Sequence, residues 1–251
     1  MKRLILFISL ICMITHVFAF NPETLVNEGN DAYKKGLFDQ AVKKYLRVVD
    51  TGYVSAELYF NLGNAYFKTN SIKEAILYYE RAKLLNPGDK DIEYNLEMAR
   101  SFTIDKIEAM PELFFISWIK WVRNMMSAEG WTKLNIITFI LTLFLLLLYL
   151  LSGKLGLKKI GFWVGVVALI ISAVSFTMAY RLKENQTAKN TAIIFTPSVT
   201  LKSSPADSGT NLFILHEGSK VEILDQVSDW RWVRIADGSR GWIRMADMVT
   251  I

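Results

Sequence analysis

The hydrophobic residues of this chain follow three rhythms in turn. A helical period runs to about residue 104, two unbroken apolar runs follow between residues 134 and 180, and a strict alternation occupies the end of the chain. In LGNAYFKTNSIKEAILYYERAKLLNP, Leu62 to Pro87, apolar residues recur at three- and four-residue spacing and Pro87 closes the pattern, predicting two amphipathic helices and a turn. The pattern repeats. A shift of 34 residues pairs Gly29 with Gly63, Asn30 with Asn64, Tyr33 with Phe67, Lys34 with Lys68, Ala41 with Ala75 and Tyr45 with Tyr79. Small residues thus recur where two antiparallel helices would cross closely, and aromatics where they would fill the gap.

This period and chemistry resemble the tetratricopeptide repeat. The repeat region is expected over residues 20–104, with one unit at 22–55, a second at 56–89 and a helix at 90–104 that caps the last apolar face. The third start, DIEYNLEMA, places Tyr94, Asn95 and Leu96 where Phe60, Asn61 and Leu62 stand one unit earlier. Glu28 and Val48 depart from the family pattern in the first unit.

Residues 105–132 contain PELFFISWIKWVRNMMSAEGW, with Phe114, Trp118, Trp121 and Met125 on one side of a helical wheel and Lys120 and Arg123 elsewhere. Two readings are open: an amphipathic helix in a membrane interface, or a helix packed on the last repeat. Residues 133–152 and 160–180 are each long and apolar enough to span a bilayer. The connector 153–159 carries Lys154, Lys158 and Lys159, which by the positive-inside rule places it in the cytoplasm. Gly161 and Gly165 form a GxxxG, suited to close packing within the hairpin or between protomers. A polar linker is expected at 181–191. In residues 192–251 the period is two, broken at Ser228-Asp229 and Asp237-Gly238-Ser239, which predicts a small all-β barrel. Gly218, Trp230, Val233, Gly238 and the Gly241-Trp242 pair resemble the bacterial SH3-like domain, although Lys202 and Ser204 replace the usual Arg and Gly of its upstream turn. The fold class is therefore a multidomain membrane protein: an all-α repeat solenoid, a two-helix transmembrane hairpin and a C-terminal SH3-like barrel.

Composition sharpens this picture. The chain is 52% hydrophobic, too apolar for one ordinary soluble domain. Its net charge of +5 would suit nucleic acid, but residues 105–192 hold ten basic and five acidic side chains while the repeats and the C-terminal segment are nearly balanced. The basicity therefore belongs to membrane topology, and no nucleic-acid partner is expected. Residues 1–19 have a basic start, an apolar core and small residues before position 20, the form of a secretory signal peptide; an uncleaved anchor is the alternative. Cleavage would remove Cys12, the only cysteine, and leave no thiol chemistry. These signals predict a two-pass membrane protein with both terminal domains on the outer side; the resemblance to bacterial domains implies a bacterial cytoplasmic (inner) membrane with both domains periplasmic.

No catalytic residues, metal site or cofactor are expected. His216 stands alone in the mature chain, and no Ser/His/Asp set or phosphate loop surrounds it. The binding candidates line the concave face of a repeat superhelix: Asn30, Tyr33, Lys34, Phe60, Asn64, Phe67, Lys68, Tyr94 and Met98. Amides and aromatics there suit capture of an extended or helical peptide. Tyr33 and Phe67 are equally suited to packing between helices. Val26 and Asp91 replace basic positions with which some relatives clamp a terminal carboxylate, so that clamp is not expected. In the barrel, alternation sets Val233 and Ile235 on one face and Trp230 and Trp232 on the other, where they form a contact patch or cap the barrel end. Lys73 reads as outward-facing.

The domain order resembles the BatE family, tetratricopeptide-repeat membrane proteins of the Bacteroides aerotolerance operon. That resemblance implies a non-catalytic scaffold in a cell-envelope complex with von Willebrand factor A-type membrane proteins and a MoxR-type ATPase, and a role in oxygen or stress tolerance. The alternative is an adaptor that binds peptidoglycan through the barrel and recruits a wall enzyme through the repeats.

Overall fold

The structure is a computed structural model that describes residues 22–251; the expected signal peptide lies outside the described residues. The chain divides into two compact units at Tyr53/Val54. In the first, α1 (Pro22–Lys34) and α2 (Phe38–Val49) form an antiparallel pair. Their crossing depends on Gly29, where a Cβ would lie 2.4 Å from the Tyr45 ring. Tyr45 is 1% exposed, and its hydroxyl donates to Asn30 Oδ1 at 2.6 Å.

The second unit opens with the same device one period later. Helices α3 (Ala56–Lys68) and α4 (Ile72–Leu85) cross at Gly63, whose Cβ would stand 2.6 Å from Tyr79, and the Tyr79 hydroxyl donates to Asn64 Oδ1 at 2.7 Å. Ser55 caps α3 by accepting from the Leu58 amide, and Asp89 caps α5 (Lys90–Ser101) by accepting from the Asp91 and Ile92 amides. The cap helix is shorter than the expected 90–104. Thr103 Oγ1 donates to the Arg100 carbonyl and the Lys106 ammonium to the Arg100 and Ser101 carbonyls, so side chains satisfy the groups a longer helix would use.

Helix α4 departs most from an amphipathic repeat helix, because Ala75 through Glu80 are all buried. Helices α3 and α5 cover two of its sides, and the C-terminal β domain covers another. Residues 105–113 then run without helix to α6 (Phe114–Arg123). Of the expected interfacial segment 105–132, ten residues form α6, and residues 128–132 already belong to the next helix.

Two long helices follow, α7 (Ala128–Leu151) and α8 (Leu155–Thr187), both long and apolar enough to cross a membrane. They pack as an antiparallel hairpin. Cβ atoms at Gly161 would meet the Leu145 carbonyl at 2.9 Å and the Tyr149 backbone at 3.1 Å, so the GxxxG serves the hairpin itself. Asn135 reinforces it by donating to Ser172 O and Oγ at 2.8 and 2.9 Å. Three boundaries differ from expectation: α7 starts at Ala128, five residues before the expected 133, and the two polar connections shorten. The connector 153–159 shrinks to Ser152–Lys154, because Leu155, Leu157, Lys158 and Lys159 are good helix formers and join α8. The expected linker 181–191 is helical through Thr187, since RLKENQT contains no breaker and Gln186 donates to the Leu84 carbonyl at 3.1 Å. At ~1.5 Å per residue α8 is about 50 Å long, and its C-terminal end lies beside α4.

The β domain is one antiparallel seven-stranded ladder in the order β3-β2-β6-β5-β4-β1-β7, comprising β1 (Thr191–Ile194), β2 (Ser198–Lys202), β3 (Asn211–His216), β4 (Lys220–Val227), β5 (Trp230–Arg234), β6 (Arg240–Arg244) and β7 (Met248–Thr250). The ladder ends at β3 and β7 and is not closed into a barrel by hydrogen bonds. It nevertheless wraps one core, to which every strand contributes: Ala192, Ile194, Leu201, Leu215, Val221, Val233, Ile243 and Met248, with Ile235. Ile107, from outside the expected 192–251 boundary, packs on the same core.

Candidate protein-binding surface

In the second unit, α3 and α5 present neighbouring faces. Asn64 Oδ1 accepts from Tyr79 Oη on one side and from Asn95 Nδ2, at 2.8 Å, on the other. Both contacts use the carbonyl oxygen, so the side chain is oriented and its amide nitrogen remains a donor. Asn95 matches Asn61 one period earlier; that spacing was the signal for its role. Tyr94 is 63% exposed and Phe102 62%, and with Met98 they make an apolar stripe four residues apart along α5. Phe67 joins this stripe edge-on to Phe102, with ring centroids 5.6 Å apart. It is half-buried, so it supports the wall of the stripe as much as it lines it. Phe60 is half-buried with its ring 6.0 Å from Tyr79, and Lys68 is exposed at the end of α3.

In the first unit, Asn30 is bonded to Tyr45 and Lys34 is exposed. Tyr33 packs edge-on against Phe38 with centroids 5.1 Å apart, and burial raises its phenol. In the β domain, Val233 and Ile235 face the core, and Trp230 and Trp232 are half-buried. Trp232 packs on Trp242 at 5.3 Å, while the Arg244 guanidinium lies 4.9 Å over Trp230 and pairs with Asp207. The Trp pair is thus partly covered by its own domain.

The repeat and β domains of the second unit are locked together, an arrangement the sequence did not announce. Glu80, with 3% of its side chain exposed, accepts from Lys220 at 2.7 Å and from Arg100. Burial alone would push the Glu80 carboxyl up, but Lys220 and Arg100 outweigh it and hold it below the ordinary carboxylate range. Lys73, expected to face outward, instead pairs with Glu217 at 2.8 Å and donates to the Phe195 carbonyl at 3.0 Å. Arg81 donates to the Thr250 carbonyl and so occupies edge strand β7. Asp105 accepts from the His216 amide at 2.7 Å and Ser219 Oγ at 2.5 Å, and meets His216 Nδ1 at 2.8 Å. Burial would raise this carboxyl too; the hydrogen bonds prevail and lower it. Gly218 makes the approach possible. Its φ is +87°, and a Cβ there would sit 2.7 Å from Thr103 and 3.2 Å from Ile76.

Beside this junction, residues 105–109 and strands β4 and β5 line a cleft of about 620 Å³. Among its lining charges, Arg234 pairs with Glu222, while Lys220 and Arg100 pair with Glu80 behind it. Among the described residues, no group of three or more His, Cys, Asp or Glu is placed to hold a metal.

The tetratricopeptide repeat family matches residues 26–90. No curated protein matches the chain. Among solved structures, the crystal structure of MamA aligns at 18% identity over 70% of this chain and 85% of its own, with a TM-score of 0.33. The Sgt2 TPR domain from Aspergillus fumigatus aligns at 16% identity over 66% and 83%, with a TM-score of 0.30. The chain therefore carries tetratricopeptide repeats, and such repeats are protein–protein interaction scaffolds.

Proposed function

We propose that this protein is a non-catalytic, membrane-anchored interaction scaffold of a bacterial cell-envelope complex. The observation that carries the reading is the α3–α5 surface, where an oriented Asn64 amide borders the exposed stripe of Tyr94, Met98 and Phe102. An amide donor beside an apolar stripe suits a peptide backbone with apolar side chains, in extended or helical form. Asn30, Tyr33 and Lys34 are the repeat-equivalent positions of the first unit.

The hairpin α7–α8 anchors the repeats and the β domain on the outer side of the cytoplasmic membrane, with the lysine-bearing turn inside. The β domain is read as an SH3-like module, and the domain order supports membership of the BatE family. Its partners are then von Willebrand factor A-type membrane proteins acting with a MoxR-type ATPase, in support of aerotolerance. Scaffolding is preferred to peptidoglycan binding because Trp230 and Trp232 are engaged by Arg244 and Trp242, while no element among the described residues covers the stripe on α5. Affinity purification in mild detergent tests this. Envelope proteins should copurify with the wild-type chain and be lost from an Asn64→Ala/Tyr94→Ala chain that remains folded. Unchanged copurification would overturn the assignment of the site.

A further inference from the structure

Helix α6 is an amphipathic element that no other element among the described residues covers. None of its ten residues is buried; Phe114 is 85% exposed, Trp118 65% and Trp121 61%. These three aromatics lie within about 60° of one another on a helical wheel, with Lys120 and Arg123 on the far side. A ten-residue helix is shorter than the ~12–15 residues at which isolated helices become even marginally stable in water. It requires a surface, and the described residues supply none.

The structure also fixes where that surface must be. Trp131 Nε1 donates to the Arg123 carbonyl at 2.9 Å, and Ser127 caps α7 through the Gly130 amide, so α6 and α7 meet at a defined corner. The corner is held against the repeats, because a Cβ at Gly88 would lie 2.6 Å from the Asn124 carbonyl. Helix α6 is therefore continuous with the first apolar span at its outer end. An exposed aromatic face with cations opposite, joined to a membrane entry point, matches the chemistry of a lipid interface.

We propose that α6 is a membrane-surface helix, with Phe114, Trp118 and Trp121 inserted at the boundary between headgroups and acyl chains and Lys120 and Arg123 at the headgroups. It lies ~5–10 Å deep and holds the outer module at a set height, which orients the α3–α5 surface toward partners in the same membrane. This rests on the membrane reading of the hairpin.

The test uses the full chain in nanodiscs of phosphatidylethanolamine and phosphatidylglycerol, in a Cys12→Ser background, with a nitroxide at one site per sample. The sites are Trp118→Cys in α6, Phe144→Cys in α7 and Asp225→Cys on β4. All three side chains are exposed, so no packing is lost. Collisions with oxygen and with a water-soluble nickel chelate report depth. The expected result is an oxygen-dominated Trp118 label, shallower than Phe144 and far from the nickel-dominated Asp225. A nickel-dominated Trp118 label with an oxygen-dominated Phe144 overturns the proposal and leaves the hairpin reading intact. A Trp118 label shielded from both reagents also overturns it, by showing that protein covers the helix. Nickel-dominated labels at both Trp118 and Phe144 refute the membrane reading and the proposal with it.

Discussion

The Glu80 junction yields the sharpest energetic prediction. Lys220 reaches across 140 residues to a carboxylate whose side chain is 3% exposed, while Lys220 itself is 36% exposed and Arg100 44%. Replacing Lys220 by Met strands a buried charge with one remaining partner. Removing one member of a buried pair costs about 3–5 kcal/mol, and the remaining Arg100 should reduce that here to roughly 2–3 kcal/mol, since one charge-assisted hydrogen bond contributes about 1.5–3 kcal/mol. Native-state hydrogen exchange reads this at the amides of His216 and Gly218, which donate to Asp105 and to the Ile194 carbonyl at the docked turn. The expected acceleration is roughly 30- to 150-fold, at tenfold per 1.4 kcal/mol. In the double variant Glu80→Gln/Lys220→Met no buried charge is left, so most of the loss should be recovered, giving a coupling above about 1 kcal/mol. Additive effects, or acceleration confined to β4 with α4 and α5 unchanged, would refute the claim that this carboxylate ties the two domains together.

Other outcomes follow from the same geometry. Gly63→Ala drives a methyl into Tyr79, costing about 1–3 kcal/mol of overpacking, less up to ~1 kcal/mol of helix propensity; thermal melting should show a net loss. Gly161→Leu should separate α7 from α8, visible as lost crosslinking between cysteines placed at Tyr149 and Phe162, whose rings lie 6.0 Å apart. The Asp105 carboxyl is held below its ordinary 3.8, so its stabilisation is complete above the unfolded value and disappears as pH falls through the lower folded value. The midpoints of wild type and Asp105→Asn should therefore differ at pH 7 and converge in acid. Tyr94→Ala should leave the melting curve unchanged, because the side chain is 63% exposed.

What the sequence revealed and what it hid divide by distance along the chain. Gly63 and Tyr79 stand 16 residues apart inside one repeat, and their period of 34 made both the contact and its copy at Gly29 and Tyr45 legible. Alternation set Val233 and Ile235 on one face for the same local reason, and that face is the core. Nothing in the repeat pattern marks Glu80, because its partner Lys220 lies in another domain. Asp105 and His216, 111 residues apart, left no pattern at all. The tail Arg181–Thr187 read as a linker because its apolar period had ended; it is helical because it docks on α4. The sheet order was hidden as well, since β1 pairs with β4 and β7 rather than with its neighbour. Of the binding surface, Asn64, Tyr94 and Met98 were visible from the repeat register. Phe102 fell beyond it.

The central claim is that the α3–α5 surface holds a protein partner. In-cell crosslinking from a photoreactive residue at Tyr94, with the same residue at Asp225 as control, tests it most directly. Both positions are exposed, but only Tyr94 adjoins Asn64 and the apolar stripe. The account predicts that one discrete envelope protein is captured from Tyr94, not from Asp225, and is lost when Asn64 is changed to Ala. Equal capture at both positions, or none at Tyr94 in a folded, membrane-inserted chain, would contradict it.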